Sequence, residues 1–431
     1  MTCEIVVANR MGIALAADSA VTYSRADGNQ TFSSGANKIF QLASTRPIAA
    51  MIYNNASLEN IPWELIIKEY RSSLSNSGFD ELKNYQSHII DFLNNNNDLI
   101  PDNVRQRSSL SAYYQIINGL ITSITSKINE TYGETPQEED ASGLWKSEIN
   151  EIKLSLKNQN IDQCLDQDEI KTEKEMYGEK LANDTKEYVI KTYPNIHSFI
   201  DYQDTIGLVI DVAFRGATKI SSNYTGLVIS GYGDREYLPS YSSIKIYGFI
   251  GRKLLWENSG DQAISYGIPS SFIQPFAQSG MVETFTQGAS PEVWRTVKDS
   301  YLEHAAAVCR QAATEAGVSI PEDVIKKTVN DSTDAFTKGW AFATFNAHLK
   351  PLRDVVSGLS VPELAELAET LVMLESLKEK VTSRTQSVGG PIDVAVITRS
   401  DGLVWIRRKL HFQPELNQRY LMRLQAQYGA H

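Results

Sequence analysis

Thr2-Cys3-Glu4-Ile5-Val6-Val7-Ala8-Asn9-Arg10-Met11-Gly12-Ile13-Ala14-Leu15-Ala16-Ala17-Asp18 is the stretch whose reading decides the fold. Two short apolar runs, Ile5 to Ala8 and Ile13 to Ala17, flank a tetrapeptide that ends in glycine. Runs of this length bounded by turn residues read as paired strands. If Arg10 and Met11 form a two-residue loop, cross-strand partners sum to about 21. That register sets Thr2 opposite Ser19 and Cys3 opposite Asp18.

Outward from this hairpin, Asn37 to Leu42 and Pro47 to Tyr53 read as two further strands, so four strands precede any helix. At Pro62 the period changes. Trp63, Leu65, Ile66, Ile67 and Tyr70 have helical spacing, and proline suits the first turn. A largely helical region continues to about Tyr202, interrupted by Asn94-Asn95-Asn96-Asn97. Between Glu134 and Lys191 it holds fifteen acids against eight bases. Such a charge excess fits a solvated helical insertion, or alternatively a docking surface for a basic partner. Strand signals return at Thr225 to Ser230 and Ser243 to Phe249, followed by helical patterns over Pro291–Ala316 and Pro321–Leu349. From Pro362 to Val381, Leu364, Leu367, Leu371, Leu374, Leu377 and Val381 recur at steps of three and four, which predicts an apolar stripe facing a core. Ile392 to Thr398 and Leu403 to Leu410, joined through Ser400-Asp401-Gly402, form a closing strand, turn and strand. Strands at both ends around central helices imply a sheet closed by its termini.

Over 431 residues, 42% are hydrophobic and 22% charged, which excludes global disorder. The net charge of −11 repels phosphate backbones and anionic lipid, so no nucleic-acid partner is expected. The longest apolar runs fall well short of the ~20 residues that span a bilayer, so no membrane association is expected. Cys3, Cys164 and Cys309 are an odd, dispersed set without a CxxC pair, which argues against a disulfide framework or thiolate zinc site. With an acid at position 4 and no secretory signal pattern, the expected location is the cytoplasm.

Most chemical motifs are missing. There is no GxSxG elbow, no GxxxxGK loop and no HExxH pair, Gly231-Tyr-Gly233 lacks a third glycine, and the six histidines are scattered. No cofactor and no metal are therefore expected. The informative feature is the N-terminus. Thr2 is small enough to permit removal of Met1, which would leave a free α-amine on a hydroxyl-bearing residue. A neutral amine of ordinary pKa roughly 7.7–8.0 can take the hydroxyl proton, so one residue would hold nucleophile and base. The hairpin brings Asp18 beside Thr2, and the third strand brings Lys38 into the same neighbourhood. A lysine ammonium there would lower the proton affinity of amine and hydroxyl, and Asp18 would hold it in place. From the residues alone two readings stand: this catalytic trio, or an ordinary Asp18–Lys38 salt bridge next to a plain strand residue.

Thr2, the run Gly12-Ile-Ala-Leu-Ala-Ala-Asp18-Ser-Ala-Val-Thr22 and Asn37-Lys38-Ile39 resemble the N-terminal-nucleophile hydrolases of the proteasome β-subunit type. Pro47 to Tyr53, Gly226 to Asp234 and Gly389 to Ile397 resemble strands of the same fold, so the likeness covers about half the chain, in pieces. The resemblance implies an α+β fold, a four-layer αββα sandwich of two antiparallel sheets. It makes Thr2, Asp18 and Lys38 the catalytic residues of a threonine-type peptidase acting through an acyl-enzyme. It further implies a peptide or protein substrate, a homo-oligomeric ring and an ATPase or unfoldase partner. The domain expectation is one core, residues 1–77 and 203–412, with a helical insertion at 78–202 and a C-terminal helix or tail at 413–431. The family also carries an Arg-Asp-x-x-Ser-Gly element before its closing strands. Arg353-Asp354-Val-Val-Ser357-Gly358 spells it one helix early, while Arg384-Thr-Gln-Ser-Val-Gly389-Gly390 stands at the expected place without the acid, so the supporting residues stay unassigned. The family's Ser-Gly-Ser loop is not recognisable. The alternatives are a small-molecule amidase on the same fold and a non-catalytic scaffold whose helical block binds a partner.

Overall fold

The computed structural model describes residues 2–24, 30–74, 78–133, 137–220, 223–382, 388–410, 412–419 and 421–422. Its first element is the expected hairpin, β1 (Cys3–Asn9) and β2 (Gly12–Ala17), with Glu4 opposite Ala17 and Asn9 opposite Gly12. That register matches the sum read from the sequence. Every position of both strands is buried, so the hairpin is covered on both faces. Strand periodicity then sorts the side chains. Val6 and Ala8 join a cluster with Met51 and Val228, while Cys3, Ile5 and Val7 join one with Leu364 and Leu371.

The further strands are β3 (Val21–Ser24), β4 (Gln30–Ser33), β5 (Ile39–Gln41), β6 (Ile48–Asn54), β7 (Ser57–Leu58) and β8 (Ile61–Pro62). After the helical region come β9 (Thr225–Gly231), β10 (Ser240–Ile250), β11 (Lys253–Ala263) and β12 (Ser271–Ala277). The last are β13 (Asp393–Thr398) and β14 (Gly402–Arg407). They form two five-stranded sheets, ordered β12-β1-β2-β13-β14 and β11-β10-β9-β6-β5, with every pairing antiparallel. The short pairs β3–β4 and β7–β8 stand apart. The chain is therefore α+β with antiparallel sheets.

Burial shows what each sheet meets. The cluster holding Val6, Leu15 and Ile397 also holds Ala49, Met51 and Val228, so side chains of the two sheets pack on each other. On the far side of the second sheet lie α1 (Trp63–Leu74) and α2 (Leu82–Asn95), which contribute Trp63, Ile67, Tyr85, Ile89 and Leu93. Trp63 is fully buried, and its indole N–H donates to Thr225 Oγ at 2.9 Å, which meets the polar requirement of burying a tryptophan. A separate cluster is built by α3 (Asp102–Tyr132), α4 (Glu138–Lys157), α5 (Glu169–Thr192) and α6 (Tyr202–Ala213). It reaches the sheet at Ile250 and Leu255. Arg105 anchors this block: the buried guanidinium donates to the carbonyls of Leu93, Ile100 and Arg252.

The remaining helices are α7 (Gly280–Gln287), α8 (Pro291–Glu315), α9 (Glu322–Thr344), α10 (Lys350–Val356) and α11 (Val361–Thr382). On α11 the leucine stripe is only half right. Leu364 and Leu371 are buried, but Leu377 and Val381 are 56% and 73% exposed. The buried face runs instead through Ala368, Val372, Glu375 and Glu379, and Glu375 accepts the Met281 N–H at 2.7 Å. Strands β11 and β12 carry no clear sequence signal. The first is a polar edge strand with two register shifts against β10, and the second contains Pro275, which an edge strand tolerates. Of the tail expected at 413–431, the described part holds a short 3-10 turn at Pro414–Leu416, and residues 423–431 lie outside the described residues.

Candidate functional site

Strand parity places Thr2 and Glu4 on the face of the hairpin that looks toward the other sheet. Both are buried, Thr2 4% and Glu4 0% exposed, and the Thr2 hydroxyl donates to Glu4 Oε2 at 3.1 Å. Lys38, the residue before β5, belongs to the opposite sheet, where its carbonyl accepts the Ile52 N–H at 3.0 Å. Its ammonium is also buried and spans two carboxylates, 2.5 Å from Asp18 Oδ1 and 3.2 Å from Glu4 Oε1. The two sheets thus meet, at the Thr2 end, in a lysine between two acids.

Asp18 closes the end of β2 and satisfies more than the lysine. Its Oδ1 accepts the Cys3 N–H at 3.0 Å, and its Oδ2 accepts the N–H groups of Ala20 and Gly389 at 3.1 and 2.9 Å. Three backbone donors and one ammonium satisfy the oxygens of a fully buried carboxylate, which is otherwise costly to desolvate. They also lock three chain segments together. The Thr2 carbonyl accepts the Gln278 N–H at 3.0 Å, which brings the segment after β12, Ser279 and Gly280, beside the site.

Glu4 has no backbone donor among these contacts. Burial drives its carboxyl up to about 7, against the opposing pull of Lys38, while the Asp18 charge adds to the rise. The adjacent Cys3 thiol faces the other way, into the helix-covered side. Burial, aided by the charge of Glu4, holds it well above its ordinary value, so it is no competing nucleophile.

The three residues expected from the sequence are therefore brought together, with one difference in wiring. The link from Lys38 to the Thr2 hydroxyl runs through Glu4, a residue that sequence reasoning missed. Its signal was available: an acid two positions from Thr2 shares its strand face, in a strand otherwise apolar through Ala8. The string Arg353 to Gly358 lies elsewhere. Asp354 is exposed and paired with Lys350 at 3.2 Å, and Ser357 bonds back to the Asp354 carbonyl. The neighbouring Val356 carbonyl accepts from Asn9, at the opposite end of β1 from Thr2, roughly 20 Å away at ~3.3 Å per residue. Residues 384–387 of the second string lie outside the described residues, and the Gly389 that follows them is a donor to Asp18.

No family model matches the chain, and no curated protein matches it. Among solved structures it is similar to the Gly-1 mutant of Anbu from Hyphomicrobium sp. strain MC1. That match has 11% identity and a TM-score of 0.27, over 100% of this chain and 98% of the other. It is also similar to Anbu, the ancestral beta-subunit, from Yersinia bercovieri, at 10% identity and a TM-score of 0.26, over 99% and 93%. The resemblance to the proteasome β-subunit type is corrected by these findings. The solved structures it is similar to are Anbu chains at 10–11% identity and TM-scores of 0.26–0.27, and likeness at this level carries no argument about the chain. The physical reason is that the segments quoted for it beyond Thr2, Asp18 and Lys38 are mostly short apolar strands, which any antiparallel sheet between covering layers requires. Among the described residues, no helix is long and apolar enough to cross a membrane, and no His, Cys, Asp and Glu group is arranged to hold a metal ion.

Proposed function

We propose that the chain is a threonine-type amide hydrolase, acting on a peptide or protein, in which Thr2 becomes the N-terminal residue and its Oγ the nucleophile. The observation that carries this reading is the buried arrangement Thr2 Oγ, Glu4, Lys38, Asp18, each within hydrogen-bond or ion-pair distance of the next. A hydroxyl is a poor nucleophile alone, and it needs a proton acceptor and a positive field to become a good one. Loss of Met1 supplies an α-amine, Lys38 supplies the field, and Asp18 fixes Lys38. The resulting steps are attack of Oγ on the amide carbon, expulsion of the amine and hydrolysis of the acyl-enzyme by water.

This reading includes a four-layer arrangement, with the two sheets inside and α1–α2 and α11 outside. The shared cluster between the sheets and the helix-covered clusters on their far faces support it. It also includes one core with an appended helical block. The block expected at 78–202 contains α2, whose buried face belongs to the sheet cluster, whereas α3–α6 have a core of their own. A homo-oligomer belongs to the same reading, with exposed apolar residues such as Val308 and Phe342, 64% and 73% accessible, covered on assembly.

The test is an intact mass combined with a hydroxyl-directed electrophile. Loss of Met1 and a covalent adduct on Thr2 are expected. A preparation that hydrolyses peptides while retaining Met1 would refute the assignment.

A further inference from the structure

Glu4 links Lys38 to Thr2 but moves no proton in the steps proposed so far, yet it is the group that the reacting hydroxyl touches. Its Oε2 accepts the Thr2 hydroxyl hydrogen bond at 3.1 Å, and its Oε1 is 3.2 Å from the Lys38 ammonium. We infer that Glu4 is a catalytic base, taking the proton of Thr2 Oγ directly and so leaving the Thr2 amine free to serve the leaving group. The inference rests on Thr2 being the nucleophile.

Three observations favour this assignment over a packing role. The hydrogen bond already runs from the hydroxyl toward the carboxylate, which is the direction the proton must travel. Both side chains are buried, so bulk water does not compete for the proton. Lys38 is shared between Glu4 and Asp18, and Asp18 holds three backbone donors of its own. Glu4, with none, is the carboxylate whose charge is least well satisfied and whose proton is most readily gained. Burial raises its proton affinity toward neutrality, the range in which a carboxylate is an effective base and its conjugate acid an effective donor.

The Oγ–H bond breaks and its proton moves to Glu4 Oε2, while the oxygen lone pair forms the bond to the carbonyl carbon. The carbonyl π pair moves to its oxygen. When that oxygen re-forms its double bond, the C–N bond breaks and the leaving nitrogen takes a proton either directly from protonated Glu4 or from the Thr2 ammonium, which Glu4 then re-protonates; by either route Glu4 returns to its carboxylate. In deacylation the carboxylate of Glu4 accepts a proton from the attacking water and returns it to Oγ as the acyl bond breaks.

A β-lactone isolates the first step, because its ring-opened alkoxide is displaced without cleavage of an amide. The rate of Thr2 acylation by a β-lactone should rise with pH through a limb near 7 and then level off. In Glu4→Gln it should fall by about 10²-fold, the lower end of general-base effects, with the same limb absent. For the peptide substrate, kcat should fall while KM holds. Warming provides a test that needs no variant: a carboxyl limb keeps its midpoint, whereas an ammonium limb moves to lower pH. Glu4→Gln acylated within about threefold of the native rate with the limb retained, or a native limb that moves like an amine on warming, would overturn the inference while leaving Thr2 as nucleophile. Native protein that takes no label on Thr2 would overturn both.

Discussion

Replacing Glu4 with glutamine should remove a loss of stability that the native chain undergoes between about pH 4.5 and pH 7. Glu4 is fully buried, and burial lifts its carboxyl from 4.5 to about 7 despite Lys38. A carboxyl raised in this way binds its proton more tightly folded than unfolded. Stability therefore falls with rising pH between the two values: the contribution is complete below about 4.5 and is gone above about 7. At ~1.36 kcal/mol per pH unit that interval amounts to about 3 kcal/mol. With an unfolding entropy of ~2.1 cal/mol/K per residue over 431 residues, it corresponds to roughly 3 °C in Tm. Glutamine keeps the shape and has no proton to lose in this window. Melting both proteins by circular dichroism across the range should show the variant-minus-native Tm difference growing by about that amount toward high pH. The sign of the difference at any single pH carries no information about the titration; its change with pH does. A difference that stays flat or shrinks as pH rises would refute the reasoning, because it would mean that Glu4 is ionised at little cost in the folded chain.

Lys38→Ala should lower peptide turnover by ~10²-fold or more, the range for removing one preorganised electrostatic group, while circular dichroism still reports a folded chain; near-normal steady-state hydrolysis would make the lysine merely structural. Asp18→Asn removes acceptor capacity from three backbone donors and an ion pair from Lys38, and chemical denaturation should register a loss of about 1–3 kcal/mol or more. Gly226→Ala places a methyl carbon 1.9 Å from the Tyr53 ring, so it should cost about 1–3 kcal/mol by overpacking, and Tyr53→Ala in the same chain should recover part of the lost Tm.

The hairpin was legible because its signal is local: two apolar runs and a short turn fix the register, and the register alone puts Asp18 beside Thr2. Lys38 was legible for the same reason, since it stands immediately before β5, the third strand after the hairpin. Glu4 was overlooked because an acid in a strand counts as an interruption until its parity with Thr2 is considered. Gly389 has no local signal at all, for its role depends on a hydrogen bond across 371 residues. Likewise β11 and β12 are edge strands, one polar and one holding a proline, and edge positions relax the apolar alternation by which strands are read. The stripe on α11 failed at Leu377 and Val381 because the helix buries Glu375 and Glu379 instead, with Glu375 turned to the start of α7, a tertiary contact that periodicity does not encode.

The span of the Asp18 contacts has a consequence in time. Thr2, Glu4, Asp18 and Lys38 all lie within the first few dozen residues, but the arrangement around them waits. Lys38 is aligned by β6, which pairs with β9 from residue 225 onward, and the last donor to Asp18 arrives only with Gly389. A nascent chain thus carries the hydroxyl, the lysine and both acids from residue 38 to residue 389 without the geometry that joins them. Contacts of such long sequence separation form late in folding. Any reactivity at Thr2 is thereby withheld until the chain has been made through Gly389 and folded back onto Asp18, so formation of the fold itself acts as the safety catch.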